Sequence, residues 1–477
     1  MRDYEFYYTQ DGSIGLYSYA DNDVYHSKFG AVSEAWEKFI LPSGIDKLIN
    51  TKEEINVLDL CYGIGYNTKT LMSYVINKNE NYLKNEKFLN KIIKKIIKNF
   101  KKNKINNTNI ASIDDNKIKL KNEILSEPIE TNTEEVISSI NIDCLEINSE
   151  LVKISPLLKT LITPQEIFLR ICPRFFDGFD TYWNIRKYLS KLSLKFAPKN
   201  KKNITELLDL KFNNEYEQLD YKYRIHEFVN YILIDSLIKY YGHNYINKNL
   251  KKLIRKKGAY RFFAGSLIKY ALFKQNKGYK IISKFNLLSN LHNIYYDHIS
   301  NRYKKAKFNL AKQLFNINFY VDDARKSILG INKQYDLIFL DAFTFSKAPE
   351  LWTVEFIAEL YRRLSPRGIL MTYSNSALVR NTFLENNFYV GKIFDEKTGK
   401  FIGTVATKDK ALIEYPLTNY ETGLCNTRAG IPYRDPNLNF DKYEILKRRE
   451  HEFKTSDLMT SSQYMRSRMA KNGENDE

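Results

Sequence analysis

The chain contains the stretch Asp336-Leu-Ile-Phe-Leu-Asp341-Ala-Phe-Thr-Phe-Ser-Lys347-Ala-Pro349-Glu-Leu-Trp352, in which a short apolar run ends at an acid. The run from Leu337 to Leu340 has the length and composition of a buried strand, and a helix-like segment follows from Trp352. In open parallel sheets, ligands bind just beyond the carboxyl ends of the strands. Asp341 is therefore predicted to lie where a substrate binds.

A second strand of this kind leads into a glycine turn, Asn56-Val-Leu-Asp59-Leu-Cys-Tyr-Gly63-Ile-Gly65-Tyr-Asn67. Glycines between a strand and a helix let the backbone approach a ligand closely, although the pattern is not G-x-G-x-x-G and lacks a P-loop lysine. A tight turn without a ligand is the alternative. Two strand-end acids that are far apart in sequence, Asp59 and Asp341, predict one cleft for a cofactor and a substrate.

Strands and helices alternate along much of the chain, which predicts an α/β fold with a parallel sheet. A β-rich start is expected before residue 50, with an amphipathic helix near 31–39 and a tail from Lys408. Residues 365–368, Ser-Pro-Arg-Gly, read as a turn. The predicted strands are 55–60, 142–146, 317–321, 335–340 and 369–373. The predicted helices are 67–76, 225–241, 250–256, 264–274, 354–364 and 378–386. Residues 388–394 and 401–407 are predicted to form a closing hairpin.

The domain organisation is predicted to be an N-terminal segment 1–50, an α/β domain 51–408 and a C-terminal tail 409–477. Two insertions interrupt the α/β domain: a basic, low-complexity segment 77–140 and a mainly helical segment 156–312. The first insertion has apolar residues at helical spacing and lysines on the other face. A helix packed on its own domain with a solvated basic side is favoured there over an RNA-binding or membrane-binding helix.

Composition allows a sizeable core and favours an anionic partner. The 477 residues are 43% hydrophobic and carry a net charge of +18. Such an excess of Lys and Arg attracts nucleic acid phosphates, although compositional drift is an equal explanation. The four cysteines, Cys61, Cys144, Cys172 and Cys425, have no C-x-x-C spacing, which argues against zinc and disulfides and fits a reducing cytoplasm. No signal peptide or membrane span is evident in the sequence.

Two further acids stand at predicted strand ends. Glu146 ends the strand expected beside the first one, where an acid holds both hydroxyls of a ribose, although a structural acid in a turn is the alternative. Asp323 follows the third strand and is a candidate for contacting an adenine amino group, with Asp322 as the competing choice. The glycine turn, Glu146, Asp323 and Asp341 occur in the order used by class I S-adenosylmethionine methyltransferases.

Here the chain resembles a known family. Asp341-Ala-Phe-x-x-x-Lys347-x-Pro349-x-Leu-Trp352 is similar to the D-[GA]-F-x-x-x-K-x-P-x-[LM]-W signature of MnmC-type tRNA methyltransferases. Three positions of the wider pattern depart from it: Ala342, Phe345 and Ala348 stand for the usual Gly, Pro and Asn. The resemblance also includes Ser27-Lys-Phe-Gly30-Ala-Val-Ser-Glu34-Ala, Leu58 to Asn67, Thr372 to Arg380 and Gly430 to Pro436, and it does not include the two insertions.

The resemblance implies methylation of wobble 5-aminomethyl-2-thiouridine in tRNA, with S-adenosyl-L-methionine as the cofactor and no metal. It implies a Rossmann-like class I sheet, in a form without the FAD-dependent oxidase domain of the two-domain enzymes. Asp59, Gly63, Gly65, Glu146 and Asp323 are then cofactor-binding residues, and Asp341 is catalytic, unless it only contacts the cofactor. Substrate contacts are expected from Phe343, Lys347, Trp352 and Arg380, and also from Arg434, although Trp352 is equally suited to anchor its helix to the sheet.

Two rival functions stay open at the level of sequence. An aminopropyltransferase of the spermidine-synthase type shares the sheet and the strand-end aspartate, but needs a second acid close after Asp341, where Thr344 and Ser346 stand. A catalytically silent RNA-binding protein on the same fold is the other. Equilibrium binding of S-adenosylmethionine separates them, because the silent protein binds none and the polyamine enzyme prefers the decarboxylated form.

Overall fold

The N-terminal segment forms a small antiparallel sheet, as its β-rich sequence predicts. Its strands are β1 (Tyr4–Tyr8), β2 (Ile14–Ser18) and β3 (Asp23–Val24), in that spatial order. The structure is a computed structural model that describes residues 4–9, 11, 13–20, 22–26, 29–79, 139–158, 160, 216–242 and 311–473.

The centre of the fold is a sheet of seven strands with the spatial order β6-β5-β4-β7-β8-β10-β9. Neighbouring strands from β6 to β8 are parallel, and β10 is antiparallel to both β8 and β9. The predicted closing hairpin is thereby confirmed. The strands are β4 (Glu54–Leu60), β5 (Ser139–Leu145), β6 (Phe315–Tyr320), β7 (Tyr335–Leu340), β8 (Leu364–Thr372), β9 (Tyr389–Asp395) and β10 (Lys400–Thr407).

Helices cover both faces of the sheet, which is why its central strands are continuously apolar. The predicted helix at 31–39 is confirmed as α1, which continues through a π-helical turn, Trp36–Ile40. The helices are α1 (Ala31–Ala35), α2 (Ile45–Thr51), α3 (Tyr66–Lys78), α4 (Ser149–Ile154), α5 (Tyr216–Tyr241), α6 (Ala324–Gly330), α7 (Val354–Arg363), α8 (Ala377–Glu385), α9 (Asn419–Cys425), α10 (Lys442–Thr455) and α11 (Ser461–Gly473).

Alternate residues of each central strand enter different cores, because side chains alternate across a sheet. Val57 and Phe339 join the core that includes α1, α3 and α5. Leu58 and Leu340 join the core that includes α7 and α8. Asp59 is two residues after Val57, so its side chain lies on the same face of the sheet, toward α3.

The predicted turn at 365–368 is wrong, because these residues belong to β8. The strand pairing jumps from Tyr335 opposite Leu364 to Leu337 opposite Ile369, so the residues between form an irregularity within the strand. A Cβ on Gly368 would lie 2.8 Å from the Tyr335 carbonyl oxygen. The turn-forming residues thus allow a bulge with close backbone approach instead of ending the strand.

The segment after Lys408 is folded and is not the tail that the sequence suggested. It contains α9 to α11, and Tyr433 and Ile445 are buried in the core beside α7 and α8. Thr353, before α7, forms a parallel bridge with Tyr433. The sequence signal was weak because only scattered apolar residues of this polar segment are buried.

Both insertions lie largely outside the described residues. Of the central one, α5 confirms the helix predicted at 225–241 and extends it toward Tyr216. Among the helices of the described residues, none is both long and apolar enough to cross a bilayer.

Candidate cofactor and substrate site

The candidate site lies where the strand order reverses, at the carboxyl ends of β4 and β7. Sheets of this type bind ligands in the crevice at that point. Asp59 lies near the end of β4, and Asp341 directly follows β7. The Asn67 side-chain amide, in the first turn of α3, donates to Asp341 Oδ2 at 3.0 Å. Asp59 and Asp341 are 282 positions apart in the sequence and lie at the same edge of the sheet, as predicted.

The glycine turn has left-handed backbone at three positions, with φ of 63° at Cys61, 54° at Gly63 and 78° at Gly65. Glycine adopts this conformation without strain, whereas cysteine does so rarely. A Cβ on Gly65 would lie 2.4 Å from the ring of Tyr62, which packs directly over it. The Tyr62 hydroxyl in turn is 2.8 Å from the Ser155 hydroxyl. The turn is therefore held in one shape by its own aromatic residue.

Glu146 holds the glycine turn to the end of β5. Its Oε2 accepts a hydrogen bond from the Gly63 N–H at 2.8 Å, and its Oε1 accepts one from the Asn148 N–H at 2.8 Å. Burial raises the pKa of this carboxyl, and the backbone N–H groups of Asn148, Gly63 and Ile147 oppose that effect. Each oxygen retains a lone pair, so the geometry leaves acceptors for ribose hydroxyls.

Asp59 is fully buried behind the turn. The Thr68 hydroxyl donates to its Oδ2 at 2.6 Å, whereas its Oδ1 is buried with no partner among the described residues. Burial raises the pKa of Asp59 to about 7, and the nearby Asp341 carboxylate adds to the rise. A buried carboxylate oxygen without a donor fits a site in which a ligand supplies that donor.

We expect Asp59→Asn to stabilise the free protein at alkaline pH. The pKa of this carboxyl rises from 3.8 to about 7 on folding, so the folded state binds the extra proton between these pH values. The free energy of unfolding therefore falls as the pH increases from about 4 to 7. The asparagine keeps an acceptor for Thr68 and has no charge to bury. Urea unfolding should give a gain of roughly 1–4 kcal/mol at pH 8 and a much smaller gain at pH 5.

The exposed Asp457, replaced by asparagine, is the control for this experiment and should show no comparable difference between the two pH values. An Asp59→Asn variant whose gain is the same at pH 5 and pH 8 would contradict the buried, raised-pKa state of this carboxyl.

Asp341 has a mixed environment. Burial raises its pKa to about 6, the Glu34 carboxylate adds to the rise, and the Asn67 donor and Lys38 oppose it. Glu34 and Lys38 form an ion pair on α1 and the turn after it, at 2.5 Å. Lys38 Nζ also lies 5.7 Å from the centre of the Tyr373 ring. The N-terminal segment thus supplies charged groups to the site formed by the sheet.

Asp323 caps the start of α6 and is paired with a cation. The Arg325 guanidinium donates to both carboxylate oxygens, the shortest contact being 2.7 Å. The same guanidinium contacts the fully buried Asp435 at 2.7 Å, which ties the C-terminal segment to this loop. Asp322 is exposed and accepts from the Asp323 N–H. Contact of either acid with adenine stays a prediction.

The expected substrate residues divide into two groups. Phe343 is partly exposed beside Asp341, and Lys347 is 33% exposed in an ion pair with Asp23 at 2.7 Å. Trp352 is only 1% exposed, and its indole N–H donates to the Phe343 carbonyl oxygen at 2.9 Å. A ring buried to this extent cannot stack on a base, so the anchoring role is the one that fits Trp352.

Arg380 also differs from its expected place. It is 5% exposed and donates to Glu421 at 3.0 Å and to Thr404 at 3.2 Å, so it joins α8 to α9 and β10 instead of facing solvent. A direct contact with tRNA phosphates is therefore corrected to a structural ion pair. Arg434 is 39% exposed and pairs with Glu385 at 2.9 Å.

Three residues of this region were not assigned a role from the sequence. Asn67 contacts Asp341, Glu34 lies close enough to affect the pKa of that residue, and the Tyr25 ring lies 5.0 Å from the Phe343 ring. Asn67 had a signal, because it ends the glycine-turn motif on the first turn of a helix. Glu34 had only its place in the family resemblance, and Tyr25 had no signal, because the contacts of both depend on how the N-terminal segment packs.

The residues present fit a nucleoside cofactor. A glycine turn of left-handed residues offers its backbone, Asp59 offers a buried oxygen without a partner, and Glu146 offers acceptors at the next strand. Within the ranges that the structure describes, no group of three or more His, Cys, Asp or Glu side chains has the arrangement of a metal site.

The strand order, the antiparallel last strand and the acids at the carboxyl edge define a Rossmann-like class I methyltransferase fold. Residues 286–408 match a family described as S-adenosyl-L-methionine-dependent methyltransferase, which implies that cofactor. This match and the similarity to MnmC proteins support the resemblance to MnmC-like methyltransferases that the motifs predict.

Several known proteins are similar to this chain. An uncharacterized protein of Methanocaldococcus jannaschii is 31% identical over 33% of this chain and 45% of its own length. The tRNA 5-methylaminomethyl-2-thiouridine biosynthesis bifunctional protein MnmC of Pseudomonas putida is 28% identical over 21% of this chain and 16% of its own length. The chain thus spans less than half of these relatives. Among solved structures, MNMC2 from Aquifex aeolicus aligns over 95% of this chain and 86% of its own, with 17% identity and a TM-score of 0.45.

Proposed function

We propose that this chain is an S-adenosylmethionine-dependent N-methyltransferase that acts on the aminomethyl group of wobble 5-aminomethyl-(2-thio)uridine in tRNA. The observation that carries the proposal is the position of Asp341, a partly buried carboxylate bound by Asn67 beside the glycine turn. The MnmC relatives, whose name states biosynthesis of 5-methylaminomethyl-2-thiouridine in tRNA, support the choice of substrate.

The cofactor is assigned to the residues around the glycine turn. Gly63 and Gly65 allow close backbone approach, Glu146 accepts from the ribose hydroxyls, and Asp59 accepts one further hydrogen bond. Asp323 is assigned to the adenine amino group. Its carboxylate would accept a hydrogen bond from that group while it also pairs with Arg325.

When bound, S-adenosylmethionine would supply a methyl group on a sulfonium. The amine nitrogen would bond to the methyl carbon as the carbon–sulfur bond breaks and S-adenosylhomocysteine leaves, and the ammonium product would then lose its proton to water. An amine can attack only when it is neutral, and burial lowers the pKa of an amine. Asp341 would accept a hydrogen bond from the amine, orient its lone pair and stabilise the positive charge of the product. Most of the rate should come from this positioning.

The base of the uridine is assigned to Phe343, a partly exposed aromatic residue two positions after Asp341 in the signature loop. A base taken out of its stack is commonly held against an aromatic ring. Lys347 is the residue proposed to meet a phosphate, by exchanging its partner Asp23. Trp352 supports the loop through the Phe343 carbonyl and does not contact the substrate.

A polyanionic substrate agrees with the net charge of +18. The organisation that goes with this proposal is a methyltransferase domain at 51–408 with an N-terminal segment and a C-terminal segment that both pack on it. A cytoplasmic location stays a prediction.

The proposal is tested by mass spectrometry of tRNA nucleosides from cells lacking this protein. Accumulation of aminomethyl- or carboxymethylaminomethyl-uridines, reversed by the wild-type chain and not by Asp341→Asn, is the expected result. An unchanged set of wobble uridines, measured in every tRNA species, would contradict it.

The rate of methyl transfer should depend on Asp341 through pH. Because the pKa of Asp341 is about 6, kcat/KM should decline about tenfold per pH unit below 6 as the carboxylate takes up a proton. The Asn67 donor stabilises the ionised form, so Asn67→Ala should move the midpoint of this decline to higher pH. Initial rates between pH 5 and pH 8 give the measurement. Asn381→Ala, on α8, is the control, and an unmoved midpoint in Asn67→Ala would count against the assignment.

A further inference from the structure

The short segment 22–26, which we call the bridging segment, contacts both halves of the candidate site. Asp23 pairs with Lys347 at 2.7 Å in the loop after β7. Tyr25 places its ring 5.0 Å from that of Phe343 in the same loop, with an interplanar angle of 61°. On the other side, a Cβ built on Gly63 would lie 3.4 Å from the Tyr25 ring. One aromatic side chain thus packs on the signature loop and faces Gly63 across a gap about one methyl group wide.

The backbone fixes the position of the bridging segment. The Tyr25 N–H donates to the Leu16 carbonyl at 2.8 Å, and the Tyr7 hydroxyl donates to the His26 carbonyl. The His26 ring packs edge-to-face on Tyr66, the first residue of α3, at 4.9 Å. The backbone of the bridging segment is therefore held by β2, by Tyr7 and by the start of α3, and the Tyr25 ring also packs edge-to-face on Tyr4 at 6.2 Å.

We propose that Tyr25 is a positioning residue that couples occupancy of the glycine turn to the arrangement of the signature loop, residues 342–348. This inference rests on the proposed function, because it takes the glycine turn as the cofactor site and the loop as the substrate site. A ligand at the turn restricts the Tyr25 ring on one side, and the ring restricts Phe343 on the other. Coupling of this kind is reciprocal, so each ligand strengthens the binding of the other by the same factor.

The size of the effect follows from the contacts. Edge-to-face ring pairs contribute modestly beyond the area they bury. We therefore expect a coupling factor of about two- to tenfold between S-adenosylhomocysteine and tRNA. Replacing a residue that serves only to fill space would change the affinity for each ligand alone. It would not change the coupling factor, which is the ratio of the tRNA affinities measured with and without S-adenosylhomocysteine. The ratio is thus the quantity that separates positioning from packing.

The experiment uses the full chain and measures hydrogen exchange of the amides at 342–348 with and without S-adenosylhomocysteine. In the wild-type protein the compound should slow exchange in this loop by about two- to tenfold. Tyr25→Ala should still bind the compound within about threefold but lose the added protection, and Tyr25→Phe should retain it, because the ring contacts do not need the hydroxyl. Tyr19→Ala is the control, since its ring packs on Tyr17 in the same small sheet at 5.0 Å.

Tyr25→Leu provides a second test if Tyr25→Ala does not fold, because leucine keeps apolar bulk and lacks the ring edge. Equal loop protection in the wild type and in either of these variants would overturn the inference and leave the proposed function intact. A wild-type protein that does not bind S-adenosylhomocysteine at all would instead overturn the proposed function, and the inference with it. The affinity for tRNA, measured with and without the compound, should change by the same factor as the affinity for the compound, measured with and without tRNA.

Discussion

Asp341→Asn is expected to lower kcat by about 10²–10⁴-fold while the dissociation constant of S-adenosylhomocysteine changes by less than about threefold. The asparagine has nearly the same size and offers one oxygen, but it carries no charge to hold an amine or to stabilise a cationic product. In the wild-type protein the Asn67 amide donates to the Asp341 carboxylate at 3.0 Å, and in the variant it would face the side-chain amide of the new asparagine. Single-turnover rates at saturating tRNA, together with calorimetric binding, separate these two quantities.

Glu350→Gln is the matched control, because Glu350 is the next acid in the sequence after Asp341 and lies in the helical turn Pro349–Trp352 that follows the loop. Its kcat should remain within about threefold of the wild-type value, since the proposal gives it no contact with the amine. Turnover close to normal in Asp341→Asn would end the catalytic assignment of Asp341. A loss of cofactor binding as large as the loss in kcat would show that Asp341 serves the cofactor, the alternative that the sequence left open.

Glu146→Gln is expected to weaken S-adenosylhomocysteine binding by about 10–100-fold, which corresponds to roughly 1.4–2.8 kcal/mol. Glu146 accepts from two backbone N–H groups, one through each oxygen. Glutamine replaces one oxygen by an NH₂ group, so the N–H of either Gly63 or Asn148 faces a second donor. A ribose hydroxyl also loses a charged acceptor. The rate at saturating cofactor should change far less than the affinity, in contrast to Asp341→Asn.

Isothermal titration at several temperatures measures this affinity, and Glu150→Gln, on α4 four residues farther along, is the control. An unchanged affinity in Glu146→Gln would mean that this acid only shapes the turn. Circular dichroism of the variant should accompany the titration, because a displaced Gly63 would weaken binding without any loss of a ribose contact.

Much of the fold follows from local patterns. The strand Tyr335–Leu340 has the bounds that its apolar run predicts, and α7 ends at Arg363, one residue before the prediction. Residues 365–368 were assigned to a turn because proline and glycine commonly end strands. Their place within β8 depends on the pairing of Ile369 with Leu337, a contact that no local pattern encodes.

The candidate site was predictable where it depends on strand ends. Asp59, Glu146 and Asp341 are predicted to lie around one crevice. In the structure Gly63 donates to Glu146, Asn67 donates to Asp341, and Thr68 donates to Asp59. The burial of Trp352 and Arg380 was not predictable, because an aromatic or basic residue in a motif is equally suited to a core. The contributions of Tyr25 and Glu34 were hidden for a different reason, since they come from a separate segment that packs against the sheet.

The central claim is that a methyl donor and a neutral amine meet at the carboxyl edge of β4 and β7. It is tested most directly by incubating the purified chain with methyl-labelled S-adenosylmethionine and tRNA that bears 5-aminomethyl-2-thiouridine, and then analysing the nucleosides by mass spectrometry. We predict label in 5-methylaminomethyl-2-thiouridine, in amounts that depend on Asp341. Label at a different position of the tRNA, or no label in any nucleoside, would contradict the account.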